Sequence, residues 1–84
     1  MSYAVLILRR AQKELAGLPK IDYDPMKEAL EALAAEPRPV SCKKLSGRDG
    51  WRIPSGNYRA IYEIDAVKKT VTILHVGNRK DVYS

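Results

Sequence analysis

Apolar and polar positions change period along this chain: an unbroken apolar run at residues 3–8, two stretches of helical period, then alternation from residue 51 onward. Residues 3–8 are apolar on both parities, which predicts a strand covered on both sides or an inner strand of a sheet. Ala11, Leu15 and Leu18 then recur at i, i+4 and i+7, one apolar stripe with Arg10, Gln12, Lys13 and Glu14 outside it, and Pro19 stops or redirects that helix. Asp24-Pro25 reads as a helix start, an acceptor at the N-cap followed by a proline whose missing N–H costs nothing there. Met26, Ala29, Leu30, Leu33 and Ala34 continue the helical period to about Glu36, before Pro37-Arg38-Pro39. Residues 21–23 fit either a loop or an earlier turn of the same helix.

Alternation takes over after Gly50. Trp51 and Ile53 share one parity, and Tyr58, Ala60, Tyr62 and Ile64 share the corresponding parity of the next run. Gly56-Asn57 between them tolerates the positive φ of a two-residue hairpin turn, which pairs Ser55 with Tyr58, Pro54 with Arg59 and Arg52 with Ile61. A third run covers residues 71–76, and Gly77 after it can end or bulge a strand. The pattern predicts an α+β fold of one domain over residues 1–84. An N-terminal strand and a two-helix hairpin precede a mainly antiparallel three-stranded meander, with the helices packed on one face of the sheet. No repeats, low-complexity tracts or linkers interrupt it.

Composition narrows the chemistry. Fifteen Lys and Arg against ten Asp and Glu give a formal charge of +5, which favours a polyanionic partner. One Cys and one His build neither an internal disulfide nor a zinc site, so no metal or other cofactor is expected, and a reducing cytoplasm fits best. The apolar run at residues 4–8 is too short for a membrane span or a signal-peptide core.

In the predicted hairpin, Arg52 and Arg59 share a face as diagonal neighbours about 7–8 Å apart at Cα. Two guanidinium groups that close repel unless an anion lies between them, and a phosphate suits their planar forks. The competing reading is a pair of solvated arginines with buried stems. Beyond Gly77, Arg79 and Tyr83 would add a third guanidinium and a phenol if the tail swings back over the neighbouring strands. Residues 40–49 read as a basic loop in which Lys43, Lys44 and Arg48 extend the positive surface, against the plainer reading of solvated loop cations. His75 has the chemistry of a general base near neutral pH but stands just before the expected end of its strand. The parity of Trp51 places it under the helices, with Tyr58 and Tyr62, in preference to stacking on a base. Cys42 has basic neighbours but no His or Asn beside it by any motif, which argues against a thiol nucleophile.

Together, Trp51-Arg52-Ile53, the Gly turn, the run Tyr58-Arg59-Ala60-Ile61-Tyr62-Glu63-Ile64-Asp65 and the closing Val76-Gly77-Asn78-Arg79-Lys80-Asp81-Val82-Tyr83 resemble the C-terminal half of RelE-type toxins. The N-terminal strand, two helices and Lys44-Leu45-Ser46-Gly47 connection precede it in the expected order, so the resemblance to the RelE/ParE toxin–antitoxin superfamily spans the chain. It implies a metal-independent endoribonuclease that cuts messenger RNA in the ribosomal A site and is held inactive by an antitoxin. Arg52, Arg59, Arg79 and Tyr83 match positions around the scissile phosphate in that family. The RelE branch usually carries a second Lys or Arg two residues after the position of Arg52, and here Pro54 stands there, so the resemblance does not identify the proton acceptor. The same superfamily contains ParE-like toxins that inhibit gyrase and lack nuclease activity, and a non-catalytic RNA-binding module is a third reading.

Overall fold

A computed structural model of the chain describes residues 2–78. The strands are β1 (Ala4–Ile7), β2 (Lys43–Lys44), β3 (Trp51–Ser55), β4 (Tyr58–Asp65) and β5 (Thr70–Asn78), and the helices are α1 (Arg9–Ala16) and α2 (Lys20–Ala32). They form one mixed sheet in the order β1-β5-β4-β3-β2, with β1 parallel to β5 and the other pairs antiparallel. The α+β architecture matches the sequence reading, and the pairing within the hairpin is the one the Gly56-Asn57 turn implies, from Ser55 with Tyr58 to Arg52 with Ile61. Gly56 supplies the left-handed φ of 59° that the turn needs.

Both helices cover the face built by Ile53, Ala60, Tyr62, Val71, Ile73 and Val76, to which they contribute Ala11, Leu15, Met26 and Leu30. Trp51, Tyr58 and Ile64 pack against that core from the same parity. Tyr62 is fully buried, and its hydroxyl donates to the Pro37 carbonyl at 2.7 Å, tying the chain after α2 to the middle of the sheet. Burial, reinforced by the neighbouring Cys42, pushes this phenol well above its ordinary pKa, so it remains a neutral donor. Gly50 lies at φ 130°, and a Cβ there would meet Leu45 Cδ1 at 2.9 Å, so the backbone entering β3 is closed to larger residues.

Four local expectations are revised. Residues 3–8 do not form an inner strand: β1 is an edge strand, and Leu6 and Leu8 are exposed because the helices cover only one sheet face. Helix α2 begins at Lys20 and not at Asp24-Pro25, since the Pro19 carbonyl accepts from the N–H groups of both Asp22 and Tyr23 and starts the helix a turn earlier. Pro25 then lies inside the helix, where its missing N–H falls opposite the carbonyl of the largely exposed Ile21, which water can reach. Residues 40–49 are not loop throughout, because Lys43 and Lys44 pair with Arg52 and Trp51 as a short edge strand. Finally β5 runs through Gly77 to Asn78, and the irregularity falls earlier: Ile61 pairs with His75 and Tyr62 with Ile73, leaving Leu74 as the extra residue of a bulge.

Where β1 ends, β5 would expose an unpaired edge, since their pairing stops at Ile7 and Ile73. Helix α1 closes it with a side chain. The Glu14 carboxylate accepts from the Val76 N–H at 2.8 Å and lies 2.8 Å from His75 Nδ1, with Arg10 one turn earlier on the helix at 3.4 Å. Burial raises the Glu14 pKa, but the Val76 N–H, the His75 ring and Arg10 outweigh it and hold the carboxyl below its ordinary value.

Two stability predictions come from these contacts. Tyr62→Phe leaves the Pro37 carbonyl without its buried donor and should cost about 1–3 kcal/mol in denaturant unfolding, with no change in the far-ultraviolet spectrum. Because the folded-state pKa of Glu14 is depressed, its stabilisation is present above the ordinary carboxylate range and is lost as pH falls through the lowered value. Glu14→Gln should therefore melt below wild type at pH 7, and the two melting curves should converge as pH falls through the lowered value.

Candidate nucleic-acid interface

The face of the sheet away from the helices carries the basic residues of β2, β3 and β4. Register arranges them in two adjacent rows. One row runs Lys43, Arg52, Ile61, His75 across β2 to β5, and the next runs Pro54, Arg59, Gly77 across β3 to β5. Arg52 and Arg59 are therefore diagonal neighbours on one face, as the hairpin spacing predicts, and both are half-buried. The Nε of Arg59 is enclosed, so its stem is sunk into the surface. Gly77 opposite it has no side chain to cover it. Ile61 packs with Leu45 and Leu74 in a small apolar cluster on this face, which gives the basic rows a rigid floor.

Strand alternation separates the two lysines of β2. Lys43 pairs with Arg52 and joins the basic row. Lys44 instead places its Nζ 5.4 Å from the centre of the Trp51 ring and 3.8 Å from Asp49, while Arg38 approaches the same ring at 5.3 Å. Arg48 lies exposed in the connection between β2 and β3. Arg79 and Tyr83, the remaining two residues that the sequence points to, lie outside the described residues. Arg79 follows two positions after Gly77.

Sequence reasoning placed Glu14 on the polar side of α1 and gave it no part in a site. The structure joins it to His75, sixty-one residues away, through the 2.8 Å contact described above. Nothing in local periodicity links the two, because the contact depends on where β1 stops and on the Leu74 bulge. A surface depression of about 840 Å³ lies against Leu6, Glu63, Asp65, Thr70 and Thr72, and none of Arg52, Arg59 and His75 lines it. The basic rows are thus an open surface suited to an extended polymer more than to an enclosed small molecule. Among the described residues no group of three or more His, Cys, Asp and Glu side chains is placed to hold a metal ion, and no helix is long and apolar enough to cross a membrane.

Comparison with known proteins places this geometry. The profile of the ParE toxin of the type II toxin–antitoxin system parDE matches residues 5–83. No curated protein sequence matches the chain significantly. Among solved structures, the archaeal RelE–RelB complex of Pyrococcus horikoshii contains a chain 33% identical, with a TM-score of 0.84 over 98% of this chain and 100% of that one. The RelBE2 toxin–antitoxin complex of Mycobacterium tuberculosis gives 29% identity and a TM-score of 0.83 over 94% of this chain and 100% of the other. The intact RelBE complex of E. coli gives 29% identity and a TM-score of 0.79 over 92% and 96%. With a family match over nearly its whole length and an arginine-bearing sheet face on the same fold, the chain belongs to the ParE toxin family of type II toxin–antitoxin systems, within the RelE/ParE superfamily.

Proposed function

We propose that this toxin is a ribosome-dependent, metal-independent endoribonuclease that cuts messenger RNA in the A site. The observation that carries the reading is the pair of rows on the open sheet face, with Arg52 and Arg59 diagonal to each other and Arg59 opposite Gly77. Two guanidinium forks in adjacent rows can donate to the oxygens of one phosphodiester. The reaction is transesterification. The substrate's 2′-oxygen attacks phosphorus, the bond to the 5′-oxygen breaks, and the products are a 2′,3′-cyclic phosphate and a 5′-hydroxyl. Arg59, with Arg79 from the following segment, stabilises charge that grows on the pentacoordinate phosphorus, where fixed donors help most, and Arg52 assists them. Tyr83 stacks on a base or takes part in proton transfer. Lys43 and Arg48 contribute to RNA affinity through phosphate contacts, whereas Lys44, expected from the sequence to join them, is turned to the Trp51 ring and Asp49.

The family profile carries the ParE name, which favours a rival reading, a gyrase-inhibiting toxin without nuclease activity. The RelE structures and the arginine rows favour the nuclease. In the cytoplasm an antitoxin would hold the toxin inactive, as RelB antitoxins accompany the RelE chains in the complexes above.

Primer extension on ribosomes programmed with a defined A-site codon should show cleavage that chelators do not stop, with free RNA cut poorly. Gyrase-dependent DNA breaks with intact message would decide for the rival. Arg59→Ala and Arg79→Ala should each lower single-turnover cleavage by about two orders of magnitude or more, while ribosome affinity falls much less. Tyr83→Phe separates the two roles of that ring: strong loss assigns proton transfer, whereas a silent change followed by loss in Tyr83→Ala assigns stacking. Co-expression with the neighbouring open reading frame should yield a tight complex that suppresses cleavage, and a neighbour that neither binds nor relieves toxicity would count against an antitoxin partner.

A further inference from the structure

The nuclease reading leaves one chemical role unfilled, since Pro54 stands where a basic side chain would be expected. The geometry points to His75, oriented by Glu14, as the group that takes the proton from the attacking 2′-hydroxyl; this inference rests on the nuclease reading. Three observations on the described residues carry it. His75 stands in the same row as Lys43 and Arg52, and it is the diagonal neighbour of Arg59 across β4 and β5, about 7–8 Å away at Cα. An imidazole and a guanidinium at that separation can both reach one phosphodiester. Second, the ring is held: Nδ1 is 2.8 Å from the Glu14 carboxylate, which is itself fixed by the Val76 N–H. An ionised carboxylate only accepts, so Nδ1 carries a hydrogen and Nε2 becomes the proton acceptor in the neutral ring. Third, the side chain is not sealed off and keeps 26% of its surface exposed.

In the reaction the O2′–P bond forms as His75 Nε2 takes the 2′-proton and the imidazole becomes imidazolium. The P–O5′ bond breaks and the 5′-oxygen leaves with a proton from water. Glu14 does not touch substrate; it is a positioning residue that fixes the tautomer and stabilises the imidazolium. The charged groups facing His75 are Glu14 and, bonded to it, Arg10 from α1, and Arg59 from β4; its β5 neighbours Leu74 and Val76 do not titrate.

The test is single-turnover cleavage on A-site-programmed ribosomes from pH 5.5 to 8.5, with folding of each variant checked by its melting curve. Wild type should show a rate that rises with pH and then levels. His75→Gln should lose about 100-fold or more and lose that acid limb, because a positioned general base contributes about 10²–10⁴-fold. His75→Ala should recover part of the rate with added imidazole. Glu14→Gln should cleave more slowly and show both neutral tautomers of the ring in nitrogen NMR, a change that a merely structural contact would not produce. Nitrogen NMR of the free wild-type toxin gives a readout independent of turnover and of variant folding: in the neutral ring Nδ1 should carry the proton and Nε2 should carry none. A neutral ring protonated on Nε2 overturns the proposal. So does a folded His75→Gln protein with the wild-type rate and limb, while Arg59→Ala is impaired; that pattern keeps the nuclease and removes only His75. If wild type cuts no message at any pH, the nuclease reading falls and this inference with it.

Discussion

The register of the β3–β4 hairpin is the constraint on which the rest of this structure depends. Side chains alternate across a sheet, so a slip of one residue would carry Trp51, Ile53, Ala60 and Tyr62 to the open face and drive Arg52 and Arg59 under the helices. Either half of that exchange is costly, because it exposes the largest core residues or buries guanidinium groups. The turn at Gly56 and the apolar parity therefore select the same pairing. Helix packing on the opposite face fixes the pairing that puts the two arginines in adjacent rows. On the nuclease reading, a surface fixed before a phosphate arrives is the condition under which electrostatic stabilisation of a transition state is most effective.

The same logic extends to β5, which serves two neighbours of different length. β4 accompanies it to Asn78, but β1 leaves at Ile7 to enter α1. The uncovered edge of β5 is completed by the Glu14 carboxylate in place of a strand, and the Leu74 bulge turns Leu74 onto the floor of the open face while His75 meets Glu14. A charged acceptor at a strand edge both satisfies the amide and discourages edge-to-edge pairing with another chain. Here it also fixes an imidazole within a row of cations.

What was legible in the sequence followed local rules. The hairpin register, the parity of Trp51, Tyr58 and Tyr62, and the shared face of Arg52 and Arg59 follow from alternation and one turn dipeptide. Non-local effects were not legible. The edge position of β1 depends on which strands pair, and apolar residues on both parities of a short run do not say that one face remains open. Asp24-Pro25 has the chemistry of a helix start, yet the Pro19 carbonyl takes two N–H groups first. The Glu14–His75 contact needs a strand end, a bulge and a helix turn to coincide, three features that no single window of sequence contains.

Pro54 shows how an edge requirement and a site requirement meet at one position. β2 covers β3 only at Trp51 and Arg52, so Pro54 sits on an open edge. Ser55 with Tyr58 is the closing pair of the two-residue hairpin, which turns the Pro54 nitrogen away from β4 and toward that edge. Proline is tolerated there because it removes no ladder bond, and it blunts an edge that could otherwise recruit a strand. The same substitution takes a basic side chain out of the row that holds Arg59. On the nuclease reading the loss would fall on proton transfer and spare phosphate binding, since Arg52, Arg59 and Lys43 keep their places in the sheet. A base for that reaction would then come from outside β3, and among the described residues β5 carries the only imidazole, in the same row as Arg52.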